Sequence, residues 1–403
     1  MIDTKPAFHS ASEFFMGGAM KLWAVCVVAL ALAACSGRLS EARVADPLPA
    51  APSEWVELHP EPVRLDGRTF EATCSEFPGA DPAYSFWARR GTENKLVIYF
   101  DGGGACWDDV TCSVPRLANS RGEGDGFYKA ELLNSDNPNR MSGIFDLDNP
   151  ANPVRNWSIV FIPYCTGDVH AGANTAHYND PDTGELYKIE HRGADNFRVV
   201  LKWLRDNFDA PEEILVTGSS AGAYGAAVHF PRVREAFPNG RAVMLGDAGQ
   251  GVTTPDFLTL RNGNWRYQLP ENVFGRDAAL TADDDLVGRL ATHYPGDLFA
   301  QYTTAQDRTQ AAFYALMGAG NACSAWTTRM NEGLQQRQGA ANFRSYVAAG
   351  QSHTILRSPG FYREASGGVS FRDWFAGLLG EAAPASAACP DCAAPPPPRS
   401  CGF

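Results

Sequence analysis

The run Ile214-Leu215-Val216-Thr217-Gly218-Ser219-Ser220-Ala221-Gly222 constrains this chain more than any other stretch. An apolar, β-prone run ends in Gly-x-Ser-x-Gly, and a segment of small residues follows. Read as strand, tight turn and helix, the pattern pushes the central Ser220 into the open. Gly218 and Gly222 leave room for neighbouring backbone. The next helix directs its N-terminal N–H groups at any negative charge formed beside the hydroxyl. Ser219, at the x position, points elsewhere. Five residues of this kind also occur in ordinary strand-to-helix turns. The strand before and the helix after favour a nucleophile.

A unit of this type belongs in a parallel sheet, and the rest of the chain supplies one. Lys95–Phe100 and Ser158–Cys165 are continuous apolar runs, as expected of parallel strands buried on both faces. Shorter β-like pieces surround Thr69–Cys74 and Tyr84–Arg89. Phe197, Val200, Leu201, Leu204 and Phe208 recur at helical spacing and predict an amphipathic crossover helix. After the elbow, Arg241–Leu245 runs into Gly246-Asp247, Asp297–Thr303 ends near Asp307, and Phe343–Ala348 leads to Gly350-Gln351-Ser352-His353. The fold class is α/β, a mostly parallel sheet with helices on both faces. Its ligand site belongs at the C-terminal strand ends. Residues 104–157 and 248–296 read as long irregular insertions that cap the site. With 403 residues, the chain can bury one large core.

The N-terminus sets the compartment. Lys21 precedes the apolar stretch Leu22–Cys35, too short to span a bilayer comfortably and typical of an export signal. Leu32-Ala33-Ala34-Cys35 resembles a bacterial lipobox, with Cys35 as the lipidated first residue of the mature chain and an outer-membrane or cell-surface location. The expected organisation is an upstream extension (1–19), a lipoprotein signal (20–34), a flexible tether (35–54), the catalytic domain (55–381) and an Ala/Pro/Cys-rich tail without core signal (382–403). A net charge of −12 argues against nucleic acid and against an anionic membrane surface as partners. The membrane enters only through the lipid anchor, and the chain is expected to act as a monomer. Export makes disulfides permissible for the ten cysteines.

A serine hydroxyl needs a base, and the base needs an acid to hold its tautomer. His353 follows the last strand among small polar residues and is the best base. His229 lies on the helix after the elbow and reads as structural, whereas His170, His177 and His191 could line a pocket. Two aspartates end strands: Asp307, between serine and histidine in chain order, and Asp247, one unit earlier, which could equally brace a turn. Position favours Asp307. Gly102-Gly103-Gly104 follows the first strong strand, where its N–H groups, with that of Ala221, could bind an oxyanion.

Taken together, Phe100–Trp107, Phe161–Asp168, Gly218–Gly222, Gly246–Gly249, Gln306–Gln310 and Ser352–Thr354 resemble the pectin acetylesterase/Notum family of secreted carboxylesterases. The resemblance spans about residues 69–375. It implies an α/β-hydrolase fold, ester hydrolysis without metal or organic cofactor, and a Ser220–Asp307–His353 triad. Gly103 and Gly104 match its oxyanion loop, although members often carry a bulky aromatic where this chain has Gly104. Trp107, Tyr164, Asp168, His170 and Asp247 become the expected substrate-binding residues. Disulfides Cys106–Cys112 and Cys74–Cys165 are implied, whereas Cys323 has no obvious local partner. The expected substrate is a small-molecule or polysaccharide ester with a short acyl group. Rival readings are a peptidase or polyester depolymerase on the same triad, a non-catalytic binding lipoprotein, and a metal or redox role for Cys389-Pro390-Asp391-Cys392, which lacks a second ligand cluster.

Overall fold

The computed structural model describes residues 45–118, 126–276 and 285–392. The extension, the signal segment, Cys35 and tail residues 393–403 lie outside the described residues. Nine strands form the main sheet among the described residues: β1 (Val56–Leu58), β2 (Phe86–Arg89), β3 (Lys95–Phe100), β4 (Ser158–Ile162), β5 (Glu213–Ser219), β6 (Arg241–Asp247), β7 (Leu298–Thr304), β8 (Phe343–Ala348) and β9 (Ala387–Ala388). Their order is β1-β2-β4-β3-β5-β6-β7-β8-β9. β2 runs antiparallel to β1 and β4, and every other pairing is parallel. The chain leaves β3 for β4 on one side and returns to β5 on the other. That reversal opens a crevice at the C-terminal ends of β3 and β5, where ligands bind in such sheets.

The central strands are apolar at every position because both faces are covered. Leu96, Ile98 and Phe100 of β3 enter one core with Phe197, Val200 and Leu204 of α1 (Gly193–Asn207) and with Ala226, Ala227 and Phe230 of α2 (Ala221–Ala236). Val97 and Tyr99 enter the opposite core, which later receives Phe371, Trp374 and Phe375 of a helix at Phe371–Leu378. Each buried Val, Leu, Ile or Phe among them contributes roughly 1.5–3 kcal/mol. The disulfides Cys74–Cys165 and Cys106–Cys112 are both present, Cys389 is bridged to Cys392, and Cys323 is also disulfide-bonded.

Three segments differ from their expected character. Residues 248–296 contain α3 (Pro255–Trp265), a helical turn at Glu271–Phe274 and α4 (Leu286–His293). Gly263 and three neighbouring polar residues obscure α3 in sequence, yet Phe257, Leu258 and Trp265 bury and override that weak propensity. The tether from residue 45 onward is docked rather than loose. Leu48 is buried, its N–H donates to Asn207 Oδ1 at 2.8 Å, and Trp203 Nε1 donates to the Asp46 carbonyl at 2.9 Å. The start of the tail adds β9 to the edge of β8 and buries Cys392. Alanines carry little hydrophobic signal, and this pairing is made by backbone.

Candidate active site

Ser220 is the hinge between β5 and α2, with φ 58° and ψ −123°. That backbone region is sparsely populated by residues with a Cβ, and it persists only where surroundings hold it. Here the Ser220 N–H donates to the Asp247 carbonyl at 2.7 Å, and the Ser220 carbonyl accepts from Ala223 N–H at 2.9 Å. Gly222 is required by close approach: a Cβ there would overlap the Phe100 carbonyl of β3.

His353 arrives from the loop after β8. That loop is zipped to the one after β7 by Ala305 N–H to Ala348 O at 2.9 Å and Thr304 Oγ1 to Ser352 O at 2.8 Å. The pairing brings His353 Nδ1 to 3.0 and 2.8 Å from the two carboxylate oxygens of Asp307. Asp307 is fully buried and is also the N-cap of α5 (Arg308–Leu316), accepting from the Gln310 N–H at 3.0 Å. Negative charge is stabilised at that helix end. His353 Nε2 is buried and has no hydrogen-bond partner among the described residues. Burial works against a charged His353, but the charge and hydrogen bond of Asp307, helped by Asp247, overcome it and raise the pKa above the ordinary 6.5.

Ser220 and His353 face two adjoining spaces. One is an apolar cavity of about 70 Å³ walled by Tyr224, Val252, Phe257, Phe313, Met317 and Trp326. These side chains come from α2, α3, α5 and the residue that caps its C-terminus, α6 (Ala322–Arg337) and the loop before α3. The other is a polar cleft edged by Gly103, Arg116, Lys129, Asp136, Thr354 and Arg357. Gly104 and Ala221 line the apolar cavity, and Gly104 also borders the cleft. Gly104 has φ +77°, and it bridges Tyr128 through the flanking bonds Ala105 N–H to Phe127 O and Lys129 N–H to Gly103 O. That bridge leaves the Gly104 N–H itself outside the ladder. The Ala221 N–H is likewise one of the orphan donors of the first turn of α2. Each of these donors borders the space beside Ser220.

Behind the glycines lies a charged cluster that sequence reading did not identify. Asp101, fully buried at the end of β3, is paired with Lys129 and Arg357, and Lys129 Nζ also donates to Asp136 at 2.7 Å. Burial alone would raise the Asp101 pKa, but Arg357 and Lys129 outweigh it and bring the carboxyl to about 2. Lys129 ends a two-residue strand, Tyr128–Lys129, and Arg357 sits in an irregular loop, so no spacing pattern announces them.

A family model for pectinacetylesterase matches residues 65–333. The chain belongs to the pectinacetylesterase family. It is similar to pectin acetylesterase 5 of Arabidopsis thaliana, at 24% identity over 212 residues covering 52% of this chain and 45% of that protein. It is also similar to palmitoleoyl-protein carboxylesterase NOTUM of Homo sapiens, at 26% identity over 172 residues covering 40% of this chain and 30% of that one. The chain therefore matches less than half the length of these curated relatives. In fold it resembles the Wnt deacylase Notum from Drosophila, with a TM-score of 0.55 and 18% identity over 80% of this chain and 95% of that one. The α/β-hydrolase-like architecture agrees with that likeness.

Within this family frame, five motif residues expected to touch substrate lie elsewhere. Trp107 is buried against Phe257, 4.9 Å between ring centroids, one layer behind the cavity wall. Tyr164 lies under Gly103 and its hydroxyl accepts from Val169 N–H at 2.7 Å. Asp168 is fully buried and braces a turn, accepting from Thr166 Oγ1, His170 N–H, Gly172 N–H and Gly193 N–H. Burial raises its pKa to about 6 despite those bonds. His170 Nε2 is bonded to the Asp101 carbonyl at 2.8 Å, and burial lowers its pKa to about 4. Asp247 is equally buried, with its donors all from protein. None of the five has surface to offer a substrate. At Gly104 a side chain would overlap the Phe127 carbonyl, and the Phe313 ring from α5 lies 3.3 Å from where a Cβ would stand.

Proposed function

We propose that the protein is an exported serine carboxylesterase that removes short acyl groups from alcohols through Ser220, His353 and Asp307. The observation that carries this reading is a strained serine lining the same cavity as a histidine whose Nδ1 is held by a buried carboxylate and whose Nε2 has no partner among the described residues. His353 Nε2 takes the Ser220 proton as Oγ attacks the acyl carbon. Asp307 holds the tautomer and stabilises the imidazolium. The N–H groups of Gly104 and Ala221, with Gly103 beside them, receive the oxyanion. The proton then passes to the alcohol oxygen, the alcohol leaves through the polar cleft, and water reverses the sequence on the acyl-enzyme. The substrate is a small-molecule or polysaccharide ester.

What supports a short acyl group is the small apolar cavity beside Ser220, with the bulky side chains of Phe257, Phe313, Met317 and Trp326 in its wall. What supports export is the N-terminal segment together with disulfides, which an oxidising compartment permits. Attachment of lipid at Cys35 belongs to the same proposal. The test is hydrolysis of p-nitrophenyl esters of increasing chain length. Acetate and butyrate are expected to be turned over far faster than palmitate, and Ser220→Ala to abolish all of it. Turnover of palmitate as fast as acetate would overturn the acyl assignment, and an active Ser220→Ala protein would overturn the nucleophile.

A further inference from the structure

Asp247 ends β6 as a buried carboxylate whose hydrogen-bond donors are all neutral. Ser219 Oγ donates to it at 2.6 Å, Ile355 N–H at 3.1 and 3.0 Å, and Leu356 N–H at 2.9 Å. Because Ser219 spends its proton there, the Tyr99 hydroxyl is the donor in its 2.6 Å bond to Ser219 Oγ. The backbone carbonyl of Asp247 takes the Ser220 N–H at 2.7 Å. A buried carboxylate without a counter-ion is costly, and here only its hydrogen bonds offset that cost. Its partners belong to two segments only, the elbow that carries Ser220 and the loop that carries His353.

Strain gathers around the same point. Ser220, Ala248 and Thr354 all have positive φ, at 58°, 58° and 65°. One follows Ser219, one follows Asp247 and one follows His353. Such conformations survive where surroundings over-determine them. The Asp247 carboxylate bonds to the residues beside Ser220 and Thr354, and Ala248 is held by its N–H to the Tyr302 carbonyl at 2.9 Å.

We propose that Asp247 is a positioning residue that locks the nucleophile elbow and the base loop into one register. The inference rests on the reading of Ser220 and His353 given above. Asp247 touches no substrate. Through Ser219, Ile355 and Leu356 it fixes the backbone on which Ser220 and His353 stand, and its charge also acts on His353. The charged groups around that imidazole are Asp307 and Asp247 behind it, with Arg116, Lys129, Asp136 and Arg357 across the cleft.

The test compares wild type, Asp247→Asn and Ser219→Ala for kcat and KM on p-nitrophenyl acetate across pH, for fluorophosphonate labelling, and for fold by near-ultraviolet circular dichroism. Asp247→Asn places an amide against two N–H donors. It is expected to lose roughly 10²-fold in kcat, the cost of a misplacement near 1 Å, with KM changed less than about threefold. Its acidic limb moves to lower pH, because a charge favouring the imidazolium is gone. Ser219→Ala keeps the carboxylate and loses several-fold in kcat with the limb unmoved. A folded Asp247→Asn enzyme with wild-type kcat and pH profile overturns the inference. If that variant does not fold, Ser219→Ala decides: lowered kcat at unchanged KM upholds the inference, and wild-type kcat overturns it. A wild-type protein that neither hydrolyses the ester nor takes the label sinks the esterase reading itself, a result distinct from either variant's.

Discussion

Asp307 performs two tasks with one carboxylate, capping α5 and holding His353 Nδ1. Asparagine caps a helix as well as aspartate does, so Asp307→Asn separates them. The variant is expected to keep its melting temperature within a few degrees and to lose about 10⁴-fold in kcat, as other triads do when the acid becomes an amide. A folded Asp307→Asn enzyme with near wild-type kcat would place the acid elsewhere. The pH dependence follows from the same pair. His353 acts as a base only when neutral, and its folded pKa is raised above 6.5, so kcat/KM should climb with pH through a midpoint above 6.5. The pair's contribution to stability runs oppositely: it is full below pH 6.5 and fades as pH rises through the folded value. A kcat/KM profile with its acidic midpoint below 6.5 would contradict the assignment. Ser220, Asp307 and His353 could be picked out as candidates because each follows a strand, and chain order with the family resemblance favoured Asp307 over Asp247. Depth was not legible. Trp107, Tyr164 and Asp168 stand in the motifs, but only packing shows them one layer behind the site. Two of the donors that occupy Asp247 come from residues 108 and 109 positions away, which no local pattern reports.

At the level of elements, the strong strands and α1 were readable because continuous apolar runs and a 3.6-residue stripe have few other homes. The weak elements were not. β9 is two alanines, and its value lies in the ladder it makes with Tyr346 and Val347 and in the Cys389 N–H bond to the Val347 carbonyl at 3.0 Å. It covers the edge of β8, the strand that leads directly into His353. Without it, that edge presents unpaired N–H and C=O groups to water and to other chains. Deleting residues 382–403 is therefore expected to lower the melting temperature by several degrees and to raise aggregation on heating. Light scattering during a thermal melt checks this. Unchanged melting and scattering would return the tail to the status of a loose appendage.

For the whole molecule, the two bridges within the catalytic domain have different tasks, and sequence separation shows why. Cys74–Cys165 closes a loop with a separation of 91 residues, and Cys106–Cys112 one of only 6. Loop-closure entropy assigns the long loop roughly 4–5 kcal/mol and the short one roughly 2 kcal/mol. The first therefore acts on the unfolded chain, linking the segment before β2 to the end of the β4 segment. The second does little for global stability, but it begins two residues after Gly104. Its Cys106 N–H donates to the Gly167 carbonyl at 2.9 Å, and the Cys106 carbonyl accepts from Trp265 Nε1 at 2.8 Å. The short bridge thus anchors the downstream end of the glycine loop. Replacing Cys74 and Cys165 by serine should lower the melting temperature markedly, with kcat at 25 °C close to wild type in whatever remains folded. Replacing Cys106 and Cys112 should do the reverse, a smaller loss of melting temperature and a larger loss of kcat, because the oxyanion donors are no longer fixed before attack. Melting curves and kcat on one activated ester, measured for both double variants, decide it. If the short-bridge variant keeps full kcat, the glycine loop is held without it, by its β-bridge to Tyr128 and the backbone bonds of Cys106.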